Sequence, residues 1–256
     1  EPASLRAALT PATRLVWLEA PGSVTMEFPD LQALIEIVRA HGAVAALDNT
    51  WGAGLAFRPF ELGVDISMQA VTKYPSGGAD VLMGSIVTRD EALHHRILHA
   101  HGVLGIGVAA NDAELVLRAL PTIGVRYDAH DRTARALARW LGEQPQVRQV
   151  LHPAFPGSPG HAHWARLCSS AAGLFSVLFR EELGQARVDA FVDALRLFRI
   201  GYSWGGPMSL AVPYDLDAMR SGGSRPSGRL VRFSIGLEAF ADLRDDLGEA
   251  LTHAFG

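Results

Sequence analysis

Lysine is almost missing from this chain. Of 23 Lys and Arg residues only Lys73 is a lysine, so arginine serves every other cationic role. Cysteine is as scarce: Cys168 stands alone, cannot form an intrachain disulfide, and leans toward a reducing, cytoplasmic location. No neighbouring pattern marks it as an activated thiol. Long apolar runs are lacking too. Asp, Arg or Gly interrupts each one before the ~20 residues needed to span a bilayer, and the opening EPASLRAALT has neither the apolar centre nor the cleavage site of a signal peptide. There is no excess of positive charge. A net charge of −4 and a pI near 6.2, with no basic run interleaved with aromatics, argue against nucleic acid as a partner. No internal repeat is visible. His95 and His99 have a helical i, i+4 spacing, but no HExxH pattern or third ligand accompanies them, so they read as a solvated helix face and no metal site is assigned. The turn PSGGAD is neither a P-loop nor a dinucleotide fingerprint.

What is present is a globular composition: 256 residues, 48% hydrophobic, enough for one large core or two moderate ones. RLVWLEAPGS (14–23) reads as a buried strand closed by Pro-Gly. The next segment predicts a helix, with Asp30 as N-cap, Leu31, Leu34, Ile35 and Val38 at i, i+3, i+4, i+7, and Gly42 as the stop. AVAALD (43–48), VDISMQAV (64–71) and VLMGSIVT (81–88) follow as strands whose continuous apolarity favours burial on both faces. Strand, helix, strand in this order implies right-handed parallel crossovers and an α/β sheet. Residues 90–101 and 111–141 predict helices, with a break near Pro121. Beyond 146 the pattern is α+β, with strands at VRQVLHP, GLFSVLF, LFRIGYS and LVRFSIG and helices at QARVDAFVDALR and DLRDDLGEALTHAF. PAFPGSPG and RSGGSRPSG read as surface loops. The expected division is a large α/β domain over 1–120, a bridging helix over 121–145 and a small α+β domain over 146–256.

Asp48 ends one predicted strand and Lys73 follows the end of the next. The carboxyl ends of strands in an open parallel sheet share one crevice, where ligands bind. Taken alone, Asp48 reads as a turn residue in DNTWGAG. A solvated surface role is the ordinary reading of a lysine, but here arginine fills such roles. Arginine cannot act where a free amine is required, because it stays protonated above pH ~12, whereas lysine loses its proton when desolvated or near another cation. Only lysine forms a Schiff base. A lysine joined to pyridoxal phosphate (PLP), with an Asp against the ring nitrogen, is a recognised binding set.

LEAPGSVTMEFPD, LDNTWGAG, QAVTKY, HPAFPGSPGH, YSWGGPMSL and VRFSIGLE, taken in order, resemble successive motifs of the PLP enzymes of Cys/Met metabolism, and most nearly those of its bacterial β-lyases. The resemblance implies the fold-type-I (aminotransferase-like) architecture and PLP as cofactor. It implies Lys73 as the Schiff-base lysine, Asp48 as the pyridinium partner and Thr72 as a hydroxyl donor to the phosphate. Ser203 and Trp204 would line the substrate site and Arg232 would hold the substrate carboxylate. Taken alone, Arg232 reads as half of a surface ion pair and Trp204 as core. The implied activity is carbon–sulfur β-elimination on a small sulfur amino acid, with cystathionine giving homocysteine, pyruvate and ammonia. γ-Elimination or γ-synthesis on the same scaffold is the alternative within the family, and a non-catalytic fragment is the alternative outside it.

Two positions depart from the wider family pattern: Ala70 stands where a phosphate-binding Ser is common, and Gly78-Ala79 precede Asp80 where a His-Ser pair is frequent. The family's N-terminal third, with its phosphate turn and ring-stacking tyrosine, has no counterpart here. Active sites of the resembled family sit between subunits, so the resemblance implies a homo-oligomer (dimer or tetramer), with a second chain as a further source of that third.

Overall fold

The computed structural model describes residues 1–219 and 228–256, so the loop expected over RSGGSRPSG lies, apart from Gly228, outside the described residues. The chain opens with α1 (Pro2–Ala8), β1 (Leu15–Glu19), α2 (Leu31–His41), β2 (Val44–Asp48), β3 (Ile66–Ala70) and β4 (Gly84–Thr88). Helices α3 (Glu91–Leu104), α4 (Ala110–Ala119) and α5 (Ile123–Gly142) follow, the last two joined by a short 3-10 turn that contains Pro121. The remainder is β5 (Val147–Leu151), α6 (His161–Leu167), β6 (Leu174–Phe179), α7 (Gly184–Ala194), β7 (Arg199–Ile200), β8 (Leu210–Asp215), α8 (Leu216–Met219), β9 (Arg229–Ser234) and α9 (Phe240–Phe255).

The first sheet has the order β1-β2-β3-β4, with the first three strands parallel. α2 is made locally as its sequence predicts. Asp30 accepts a hydrogen bond from the Ala33 N–H at 3.3 Å, and Gly42 closes the helix in the left-handed region at φ 80°. Its Leu31 and Ile35 are fully buried with Leu47 of β2, each such side chain stabilising by roughly 1.5–3 kcal/mol.

The outer strands correct the expectation of burial on both faces. β4 runs antiparallel to β3 and leaves Ile86 and Val87 exposed, while β1 leaves Leu15 47% and Trp17 54% exposed. An apolar run reports the side chains only; which strand lies beside it, and what covers its second face, is decided by tertiary contacts.

The second sheet, in the order β5-β6-β9-β8-β7, is antiparallel except for the β7–β8 pair. Only Arg199 and Ile200 of the predicted strand LFRIGYS pair as strand, and β8, which contains Pro213, was not predicted. Phe175, Phe191, Phe233, Leu137 and Leu247 form its core with α5, α7 and α9. No helix among the described residues is long and apolar enough to cross a membrane.

His152, directly after β5, is fully buried. Its Nδ1 accepts from the Ala154 N–H at 3.2 Å, and its ring stacks on Phe155 with centroids 4.6 Å apart. Burial, helped by the Arg135 charge, pushes its pKa down from 6.5 to about 3. Below pH 6.5 the unfolded chain then binds a proton that the folded chain refuses, so stability is full above 6.5 and falls as the pH drops toward 3. His152→Gln should flatten that loss by up to about 1.4 kcal/mol per pH unit, measured as urea unfolding free energies across the window.

Candidate active site

β2 and β3 are parallel neighbours, and their carboxyl ends deliver Asp48 and, one turn later, Lys73 to the same rim. The turn is closed by Ser76, whose N–H donates to Val71 O at 3.0 Å and whose hydroxyl donates to Thr72 O at 2.9 Å. A cavity of about 200 Å³ opens over this rim, bounded by Glu19, Pro21, Asp48, Thr50, Lys73 and Trp204, among others.

Lys73 Nζ donates to Ser203 Oγ at 2.8 Å and lies 5.3 Å from the centre of the Trp204 ring. Burial lowers the pKa of this ammonium from its ordinary 10.5, and the Arg232 charge lowers it further. Asp48 Oδ1 accepts from the Thr50 N–H at 2.9 Å and the Thr50 hydroxyl at 2.5 Å. Asp48 Oδ2 has no hydrogen-bond partner among the described residues.

Arg232, on β9, is 5% exposed. Its guanidinium donates to two backbone carbonyls, Tyr202 O at 2.6 Å and Ser23 O at 3.1 Å, and sits over the Tyr214 ring. No carboxylate neutralises it among the described residues, and burial lowers its pKa. A surface ion pair, the ordinary reading of this arginine, is therefore replaced by a buried cation held by neutral acceptors.

Asp48, Lys73 and Trp204 thus bound one cavity, and Ser203 and Arg232 stand behind it, the first on the Lys73 amine and the second on the carbonyl of Ser23, which also bounds it. Thr72 is turned elsewhere. Its hydroxyl donates to Met83 O at 3.3 Å and accepts from the Met83 N–H at 3.0 Å, and it does not bound the cavity. The donor set fits two ends of a pyridoxal group: an amine for the carbonyl and a carboxylate oxygen without a partner for the ring nitrogen.

Sequence reasoning missed Tyr74 and Gly205. Tyr74 is fully buried and its hydroxyl accepts from the Gly173 N–H at 2.8 Å. Its ring contacts Tyr127, His130 and Trp204. From α5, Arg126 donates to Tyr74 O at 2.6 Å. These partners are remote in sequence, so no local pattern announces them. Gly205 packs tightly on the turn: a Cβ there would lie 3.0 Å from Tyr74 N and 3.2 Å from Lys73 C, at a φ of +77° that side chains rarely adopt. The WGG triplet was the available signal.

Several comparisons agree on the class. A cystathionine gamma synthase from Xanthomonas oryzae pv. oryzae, solved in complex with cystathionine, matches with a TM-score of 0.90 and 33% identity over 99% of this chain and 67% of its own. A cystathionine gamma-lyase from Lactobacillus plantarum, complexed with L-serine, gives 0.89 and 26% over 99% and 68%. The architecture is that of the fold-type-I PLP enzymes. In sequence, residues 1–252 match the family described as Cys/Met metabolism PLP-dependent enzyme. A putative cystathionine beta-lyase of Rhizobium johnstonii is 43% identical over 92% of this chain and 60% of its own length. The cystathionine beta-lyase of Bordetella avium is also 43% identical, over 98% and 64%. The chain belongs to the Cys/Met-metabolism family of PLP-dependent enzymes, and it spans 60% to 64% of the length of these curated relatives.

Gly205→Ala places a methyl group 3.0 to 3.3 Å from the Lys73–Tyr74 backbone and the Lys73 Cβ, at a φ of +77°. The expected loss is about 1–3 kcal/mol of folding free energy by chemical denaturation. Alanine at Gly102, inside α3 and with nothing within 4 Å of a Cβ, should instead leave stability unchanged or raise it.

Proposed function

We propose that this chain carries the PLP site of a carbon–sulfur β-lyase, which converts cystathionine or a related cysteine derivative, with water, to a thiol (homocysteine), pyruvate and ammonia. The observation that carries the reading is a partly desolvated amine, Lys73, on the cavity wall, with a buried and unneutralised guanidinium, Arg232, close enough behind that wall to act on its charge.

A buried cation without a counter-ion favours an anionic ligand, and Arg232 offers a planar fork that matches a carboxylate. The α-carboxylate of an amino acid would therefore seat near Arg232 and bring its Cα toward Lys73. PLP, when bound, supplies an electron sink that stabilises negative charge at Cα. Asp48 would hold it through Oδ2, keeping the ring nitrogen protonated, while Lys73 would hold its carbonyl carbon until substrate arrives. The lowered pKa of Lys73 suits it to take the Cα proton. The resulting ammonium then stands ready to protonate the departing sulfur. The Ser203 hydroxyl orients the amine throughout, and the Trp204 face excludes water from one side.

The choice of β- over γ-chemistry is supported by the β-lyase relatives at 43% identity, against 36% for a cystathionine gamma-lyase of Bos taurus. Thr72 is assigned to the cofactor phosphate by resemblance, which would require its hydroxyl to turn from Met83. We also read the assembly as a homo-oligomer in the cytoplasm. Its support is α3, which buries no residue and exposes Leu98, Val103 and Leu104, together with the single cysteine.

Borohydride reduction in the presence of PLP should leave a phosphopyridoxyl group on the peptide containing Lys73. No adduct would sink the reading and favour a non-catalytic fragment. Cystathionine should yield pyruvate; 2-oxobutyrate would assign γ-elimination instead. Lys73→Ala should remove both the adduct and the keto acid, lowering turnover by at least about 10³-fold.

A further inference from the structure

The loop that carries Ser203 and Trp204 is not a regular element, yet it holds a hydroxyl 2.8 Å from the reactive amine. Something must fix it. On the Lys73 side Gly205 lies against the backbone of Lys73 and Tyr74, a contact that resists compression but does not pull. The attachment is on the other side, at Ser209.

Ser209 is fully buried and every polar group on it is used. Its N–H donates to Glu238 Oε1 at 2.6 Å, its hydroxyl donates to Glu238 Oε2 at 2.8 Å, its Oγ accepts from the Gly236 N–H at 2.9 Å, and its carbonyl accepts from the Arg199 N–H at 3.0 Å. Two residues earlier, Pro207 O accepts from the Leu237 N–H at 2.8 Å. Glu238 thus grips two adjacent donors with both carboxylate oxygens, as a cap grips a helix start, although no helix begins there. No cationic side chain pairs with it among the described residues, so its hydrogen bonds go to the loop. Charge-assisted bonds of this kind are about twice as strong as neutral ones.

We infer that Glu238 is a positioning residue which, through Ser209, clamps the 203–206 loop onto Lys73 and so sets how far water reaches the amine. The loop is tied at both ends: Arg232 holds Tyr202 O before Ser203, and Glu238 holds Ser209 after Trp204. Release of the second tie would let Ser203 and Trp204 lift from Lys73. The inference rests on the reading of Lys73 as the reactive amine, and it adds a residue that touches neither substrate nor cofactor.

Lys73 is the single lysine, so acetylation by acetic anhydride, read peptide by peptide in a mass spectrometer, reports one side-chain amine without any cofactor. The charged groups that face it are Arg232 from β9 and Asp48 and Glu19 from the ends of β2 and β1; His130 of α5 is the titratable group near Glu238. All are left intact. In Glu238→Gln, which keeps the size but not both acceptors, the midpoint of Lys73 acetylation against pH should rise by half a unit or more, about a threefold loss of free amine at neutral pH. Glu238→Ala should move it further. Asp246→Asn is the control: Asp246 accepts from the Arg196 and Leu197 N–H groups away from the cavity, so it should lower stability and leave the midpoint unchanged. If Glu238→Ala fails to fold, the Gln variant decides. An unmoved midpoint in folded Glu238→Gln overturns the clamp, whereas a missing phosphopyridoxyl adduct in the unsubstituted chain overturns the Lys73 reading and leaves the clamp measurable.

Discussion

The site depends on one close approach. The loop after β7 comes down on the turn after β3 until Gly205 packs on the backbone of Lys73 and Tyr74, at a spacing and a positive φ that favour a residue without a side chain. Tyr74 completes the lock by accepting from the Gly173 N–H at the entrance to β6, while Arg126 of α5 holds its carbonyl. The two sheets therefore meet at the residue pair that presents the amine. Lys73 emerges from a backbone fixed on three sides, and its tip is placed by Ser203.

That geometry has an electrostatic consequence. Lys73 and Arg232 are both cations, and both are partly or largely removed from water. Burying like charges together is unfavourable unless one loses its proton or an anion arrives. Arginine does not release its proton readily, so the strain falls on the lysine, whose pKa is lowered. The same arrangement that lowers the lysine pKa would also favour a bound carboxylate. Asp48 across the rim is tied to Thr50 through one oxygen only, which leaves the other for a cationic ring atom.

Local elements were legible because their causes are local. α2 could be read from Asp30 to Gly42, since its cap, its apolar spacing and its stop lie within one stretch of chain. β8 was not legible, because its central Pro213 argues against a strand in isolation and only pairing with β9 makes it one. The antiparallel course of β4 and the open faces of β1 and β4 were also hidden, since a run of apolar residues looks the same whichever neighbour it has. In the site, Lys73 stood out by the near-absence of its residue type. Arg232 did not, because arginines are common here and burial is no property of a single residue.

By itself the sequence determined the class of fold and singled out Lys73 and, at the neighbouring strand end, Asp48 as candidates for the site. Those follow from residue chemistry and the order of apolar segments, and the ordered motifs extend them to a family. Only the tertiary structure decided that Arg232 is buried without a counter-ion, that Ser203 lies at the amine, that Thr72 faces Met83, and that Tyr74 and Glu238 hold the turn and loop in place. Each joins residues distant in the chain or depends on what surrounds a group, and the free energy of a charge or a hydrogen bond is set by those surroundings.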